Sequence, residues 1–334
     1  MVQDDKWKWL LEGFNFDLAT AVKPKTVEYY CDHARLFVRW TQRQGQVPDP
    51  ELITKRDIQR FLLYLVETTE PSVVANGAVR HFHRTDRTRW HYYRCLKRFF
   101  SWAVAEGYVK HSPMDGIDLK PPKAPPIEPY SPEQVGLFLK VLDHRWQTAS
   151  TARQKMLAAR DMAVLFLFLE SGLRLSELLA LSTPDIDLER QRVLVREGKM
   201  GKGRLAGFGV QTKRSLWRYM GLRPSESQYL ALWLTEEGRP ITKHGLQEII
   251  RGLKEDSGLQ HVRGSVHKLR HTFATTYLRH TKDMKGCRIL LGHSTLAMTE
   301  RYTQFIDAED ALEAYDGKGP LDWMRDVKDR GRGG

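Results

Sequence analysis

The apolar positions of the chain recur mostly at helical spacing. Val27, Tyr30, Ala34 and Phe37 follow Pro24-Lys25-Thr26, and Ile58, Phe61, Leu62 and Leu65 follow Thr54 and Asp57, so two amphipathic helices are expected there. A third is predicted from Asp86 to Glu106, with Arg89, Tyr93, Leu96, Phe100 and Ala103 on one stripe and Gly107 at its end. Further on, Ser131-Pro132-Glu133-Gln134 reads as a helix start, with proline at the first helical position and an acid close behind. Asp161 to Glu170 reads as a buried helix broken by Ser171-Gly172, and Leu175 to Leu181 as a short helix that Pro184 helps to close. Arg192 to Arg196 and Arg204 to Phe208 read as strands joined by the Gly-rich turn 197–203, and the remainder is helical again. The fold class expected is therefore mainly α: a helical N-terminal domain, then an α+β domain with a small antiparallel sheet.

The sharpest break in composition is Lys120-Pro121-Pro122-Lys123-Ala124-Pro125-Pro126-Ile127-Glu128-Pro129, whose prolines fix φ and remove donors to give a stiff, extended connector. It divides the chain into a domain at 1–118, a linker at 119–130 and a second domain at 131–334, the two domains that 334 residues suggest. Lys and Arg number 53 against 41 Asp and Glu, a net of +12, which favours a polyanionic partner. The longest uncharged apolar run, Met162 to Leu169, has eight residues, where a membrane span needs about 20. No membrane association is expected, and Asp4 and Asp5 stand where an export signal would carry basic residues, so a cytoplasmic chain is expected. Cys31, Cys95 and Cys287 are too far apart for a Cys-x-x-Cys metal knuckle and read as free thiols.

Candidate chemistry gathers in the second domain. Arg174 lies in Ser-Gly-Leu-Arg-Leu-Ser-Glu-Leu, His267 and Arg270 in His-Lys-Leu-Arg-His, His293 in Leu-Gly-His, and Tyr302 nine residues beyond His293. Singly these would be ordinary surface, capping or packing residues. As a set, arginines from separate elements can clamp one phosphate while imidazoles add hydrogen bonds as negative charge builds on its oxygens. His267 and His271 are four residues apart, but Lys268 occupies the position where a zinc-protease helix carries Glu, so no metal site is expected. The turn at Gly201-Lys202-Gly203 lacks the spacing of a nucleotide-binding loop, and no cofactor is expected. In the first domain, Arg80 to Arg98 contains seven Lys or Arg against the single acid Asp86, with Phe82, Trp90, Tyr92 and Tyr93 interleaved. Arg87, His91, Arg94 and Arg98 share one helix face opposite the apolar stripe and are candidate DNA-binding residues, together with Lys202.

These boxes resemble those of the tyrosine recombinase (phage integrase, Xer-like) family, and the resemblance covers nearly the whole chain. The ordered intervals are 25 residues from Arg174 to Lys199, 68 to His267, 3 to Arg270, 23 to His293 and 9 to Tyr302. The resemblance implies that the second domain is catalytic and the first a DNA core-binding domain, and that Tyr302 attacks a backbone phosphate to form a 3′-phosphotyrosyl bond and free a 5′-hydroxyl. Arg174, Arg270 and His293 would stabilise the phosphorane, His267 would accept or relay the tyrosine proton, and Lys199 would be the general acid. Lys199 is preferred to Lys202 because Gly198 to Arg204 aligns with the family hairpin Gly-Lys-Gly-Asn-Lys-x-Arg, although Met200 and Gly207 depart from it. Glu177 is expected to brace the site by orienting Arg174. The implied partners are double-stranded DNA and three further copies of the chain: a homo-tetramer on paired DNA sites, a monomer free in solution, with the segment after Tyr302 exchanged between protomers. About twenty residues precede the first expected helix, which points to a simple Xer-like or small mobile-element enzyme. A type IB topoisomerase and a non-catalytic DNA-binding accessory protein are the alternatives.

Overall fold

The computed structural model describes residues 2–44, 49–73, 79–123, 128–196, 203–224, 229–262, 264, 266–300 and 302–303. Lys199, Lys202 and the expected exchange segment lie outside them. The chain divides into two compact units, Met1–Ala124 and Pro125–Gly334, and the division falls inside the proline-rich stretch.

The first unit holds helices α1 (Val2–Ala21), α2 (Pro24–Arg43), α3 (Lys55–Glu67) and α4 (Asp86–Ala105), with strands β1 (Thr69–Val73) and β2 (Val79–His83) between α3 and α4. Local chemistry fixes the starts. Pro24 opens α2; Thr54 and Asp57 form a reciprocal capping box on α3; the Thr85 hydroxyl accepts from Thr88 N–H at the head of α4. The core is aromatic, with Phe37 against Phe61 and Phe14 against Phe99, both edge-on at 5.1 Å between ring centroids.

Two elements go beyond the periodicity reading. Helix α1 buries Trp7, Leu10, Phe14 and Leu18 against α2 and α4, yet leaves Trp9 and Phe16 65% and 71% exposed. Apolar residues on two faces blur the stripe that marks a helix in sequence. The hairpin β1–β2 pairs antiparallel with Pro71 opposite His81, so Arg80 belongs to a strand while Arg87 to Arg98 belong to α4. Pro71 argues against a strand in sequence, but a two-stranded sheet is all edge, and an edge position tolerates a residue without an N–H.

The second unit begins with α5 (Pro132–Thr148), capped by Ser131 and Gln134, and α6 (Ala152–Ser171), capped by Thr151 and Gln154. The α6 helix is longer than its expected buried half, because its first two turns carry polar residues. Short α7 (Leu175–Leu179) follows, then an antiparallel sheet in the order β3 (Ile186–Asp187), β4 (Arg192–Val195), β5 (Arg204–Gly207). Helices α8 (Val210–Leu222), α9 (Lys243–Asp256), α10 (His267–Thr281), α11 (Met284–Leu291) and α12 (Ala297–Glu300) complete the described elements. The α6 helix is the axis of the unit: it packs on α5, α8 and α10, and from Met162 to Leu169 it is apolar on all sides, as a helix surrounded by others must be. No helix among the described residues is long and apolar enough to cross a membrane.

Because Phe14 is 1% exposed and touches both Phe99 and Trp102, Phe14→Ala should lower the unfolding free energy by about 3–5 kcal/mol in urea denaturation. Wild-type stability in that variant would remove α1 from the core.

Candidate active site

Two helix C-termini form the floor of the site. Helix α6 ends at Gly172 with φ of +59° and α11 at Gly292 with φ of +62°, the left-handed conformation that glycine adopts at lowest cost. A Cβ on Gly172 would collide with the Phe273 ring, and one on Gly292 would press on Arg204, so close approach as well as conformation requires glycine. Helix ends leave carbonyl oxygens without partners and carry partial negative charge, and here arginines take them. Arg270 donates from Nη1 to Gly172 O at 2.6 Å and from Nη2 to Leu291 O at 2.7 Å. Arg174 donates from Nη2 to Gly292 O at 2.9 Å, and Arg204 from Nε to Leu290 O at 2.9 Å.

Glu177, on α7, ties the same three arginines together. Its Oε1 accepts from Arg174 Nη1 at 2.6 Å and Arg204 Nη1 at 2.8 Å; its Oε2 accepts from Arg204 Nη2 and the Arg174 backbone N–H, both at 2.8 Å, and lies 3.9 Å from Arg270 Nη1. Burial alone would raise the Glu177 carboxyl, but the hydrogen bonds from Arg204 and Arg174 hold it down at about 2. Burial, and then the neighbouring Arg174 charge, push Arg270 down to about 10, still charged at neutral pH. The expectation that Glu177 orients Arg174 therefore understates its connections. Arg204 has no role in the sequence reading beyond its place in the hairpin alignment. The available signal was strand alternation, since Arg204 and core-facing Ala206 lie on the same side of β5.

Tyr302 is 6% exposed and packs with Ala274, Leu278, Cys287 and Leu291. The His293 ring stacks near it at 6.1 Å and 10°, and the His271 ring lies at 5.2 Å and 47°. Position 271 follows Arg270 by one helical step of 100°, which turns its ring to Tyr302 while Arg270 reaches the helix termini. The sequence reading weighed His271 only as half of a metal pair. Among the described residues no three His, Cys, Asp or Glu side chains gather as metal ligands. His293 Nδ1 lies 3.0 Å from Thr299 Oγ1; burial, then Arg270, Arg174, Arg204 and His271, drive its pKa down to about 4. At neutral pH it is an uncharged imidazole. His267, the first residue of α10, has an exposed surface, yet partial desolvation and then Arg270 lower its pKa. The site thus joins Arg174, Arg270, His293 and Tyr302, residues up to 128 positions apart in the sequence.

In the first unit, Arg87, Arg94 and Arg98 are exposed along α4. The Arg94 guanidinium lies 4.9 Å over the Trp90 ring and that of Arg98 4.6 Å over Tyr30, which restrains both side chains. His91 differs from its neighbours: it is partly buried, with its Nδ1 2.8 Å from the Tyr29 hydroxyl, and burial followed by Arg87 and Arg94 lowers its pKa.

Folded His293 titrates near 4, whereas an unfolded histidine titrates at about 6.5, so between those values the unfolded chain binds the extra proton. Stability should rise as pH increases through this window and level off above it. His293→Gln should flatten that part of the urea-denaturation profile relative to wild type; an unchanged slope would refute the neutral, buried assignment.

Comparisons with known proteins place the chain in a family. The pattern of the phage integrase family matches residues 141–309. A tyrosine recombinase XerC of Lactobacillus delbrueckii subsp. bulgaricus is 30% identical over 285 residues, covering 84% of this chain and 88% of that protein. A tyrosine recombinase XerC of Alcanivorax borkumensis is 33% identical over 229 residues, covering 67% and 71%. Among solved structures, a XerH site-specific recombinase bound to a palindromic difH substrate, in a post-cleavage complex, shares the fold with a TM-score of 0.67 at 21% identity, covering 87% of this chain and 79% of that one. The chain belongs to the phage integrase family and is a tyrosine site-specific recombinase.

Proposed function

We propose that the chain cleaves and rejoins double-stranded DNA through a phosphotyrosyl intermediate on Tyr302. The observation that carries this reading is the convergence of Arg174, Arg270 and His293 beside Tyr302. The Tyr302 phenol oxygen attacks the scissile phosphorus, the bond to the 5′-oxygen breaks, and a 3′-phosphotyrosyl ester and a free 5′-hydroxyl result. Attack by a 5′-hydroxyl from the recombining strand reverses the step and releases the tyrosine, so the phosphodiester energy is conserved and no nucleotide cofactor is consumed.

A phenol with a pKa of about 10 needs a proton acceptor at neutral pH, and His267 is assigned to accept or relay that proton. Arg174 and Arg270 bind the non-bridging oxygens, where each guanidinium gains most as charge develops. When the Thr299 hydroxyl donates to Nδ1 of neutral His293, the ring proton sits on Nε2 as a further donor to the phosphate. Lys199 protonates the leaving 5′-oxygen. The exposed guanidiniums of Arg87, Arg94 and Arg98 contact DNA phosphates, with His91 and Lys202 as further contacts. The working assembly is a homo-tetramer on two DNA sites, with the segment after Tyr302 passed to a neighbour, acting in the cytoplasm.

Incubation with a random-sequence duplex library, followed by denaturing gels and sequencing of the bound strand, tests the chemistry and identifies a usable duplex. The wild-type chain should yield a covalent adduct at Tyr302. Tyr302→Phe should bind DNA and yield none; an adduct mapped to another tyrosine in that variant would overturn the assignment.

A further inference from the structure

We propose that Arg204 is a positioning residue of the reaction: by bonding both oxygens of Glu177 and the Leu290 carbonyl, it keeps Arg270 from closing on Glu177, so that Arg270 can bind the phosphate beside Arg174. This assignment rests on the phosphate-clamp reading of those two arginines. Arg204 is set apart from them by its bonding. All three of its nitrogens are used within the protein, Nη1 and Nη2 on Glu177 at 2.8 Å and Nε on Leu290 O at 2.9 Å, and its side chain is 11% exposed. Three of its five N–H donors are spent in this way, one from each nitrogen, which fixes its orientation on Glu177 and Leu290.

The need for it follows from charge and geometry. Glu177 has a side chain 4% exposed, so water cannot satisfy it, and a buried carboxylate takes whatever donors are within reach. With Arg204 removed, the nearest replacement at Oε2 is Arg270 Nη1, already only 3.9 Å away. Closing that gap would draw Arg270 from Gly172 O and place its charge on Glu177 instead of on a phosphate. Three guanidiniums around one carboxylate leave two positive charges over, the number carried by the two arginines assigned to the non-bridging oxygens. Lysine cannot substitute, because one ammonium on a flexible stem cannot span both carboxylate oxygens and the carbonyl together. Arg204 also stands one residue after the Gly-rich turn that carries Lys199, which offers a rival route of action through the general acid.

The experiment measures single-turnover adduct formation at saturating DNA, using a nicked version of a duplex captured by the wild-type protein, alongside equilibrium binding to the same duplex. Arg204→Ala should slow adduct formation by roughly 10²-fold, as misplacement of a catalytic group does, with DNA affinity unchanged. Arg204→Lys, which keeps the charge and most of the stem, should lose as much and covers the case in which the alanine variant does not fold. A duplex with sulfur at the bridging 5′ position needs no general acid, because a thiolate leaves readily. That substrate should restore Lys199→Ala and fail to restore either Arg204 variant. A wild-type rate in Arg204→Ala, recovery in Arg204→Lys, or rescue of either by sulfur would each overturn the assignment, the last by showing that Arg204 acts through the hairpin. The wild-type rate and the Tyr302→Phe blank, run in parallel, keep a failure of the tyrosine chemistry distinct from a failure of this role.

Discussion

Two guanidiniums bonded to one buried carboxylate, with a third 3.9 Å from it and all three bonded to one helix terminus, are the constraint on which the site depends. Like charges this close repel, and burial first, then the Arg174 charge, lower the pKa of Arg270. Glu177 offsets it with a full negative charge, and the last carbonyls of α11 add the partial charge of a helix end. Leu290, Leu291 and Gly292, three consecutive residues, receive Arg204, Arg270 and Arg174 respectively. The cluster is thereby held in place by contacts within the protein alone.

The same turn registers Tyr302. Directly after Gly292 come His293, the short helix α12 and Tyr302, which belongs to one apolar cluster with Leu291. A shift of the α11 terminus would displace the arginines and the tyrosine together, so the arginine cluster and Tyr302 share one mechanical reference. Glycine at 172 and 292 serves the same end: both positions take the left-handed conformation, and their carbonyls accept from Arg270 and Arg174 respectively. The fold around them follows from packing, with α6 buried on all sides carrying Gly172 at its end and α10 laid against it carrying Arg270.

Much of this was legible in the residues alone. Ordered boxes around Arg174, His267, Arg270, His293 and Tyr302 identified the family, and the caps at Thr54, Ser131 and the Asp86 stripe located helices to within a few residues. Helix α1 was obscured because Trp9 and Phe16 face away from the core that Trp7 and Phe14 help to build. The hairpin β1–β2 was obscured by Pro71, and Arg204 by distance, its partners lying 27 and 86 residues away. Local patterns specify local structure; a carboxylate shared by three elements is set by tertiary packing. His271 is intermediate: its helical phase was readable, but the ring it meets was not.

The central claim is that Glu177 organises Arg174, Arg204 and Arg270, and Glu177→Gln tests it most directly because the shape is kept while the charge is lost and one acceptor oxygen becomes an NH2 donor. Breaking a buried ion pair by removing one partner costs about 3–5 kcal/mol. The measurement is the single-turnover rate of covalent adduct formation in this variant at saturating DNA, read beside its urea-denaturation midpoint. A marked fall in both, with DNA affinity retained, is the expected result. An adduct rate and midpoint equal to wild type would contradict the claim.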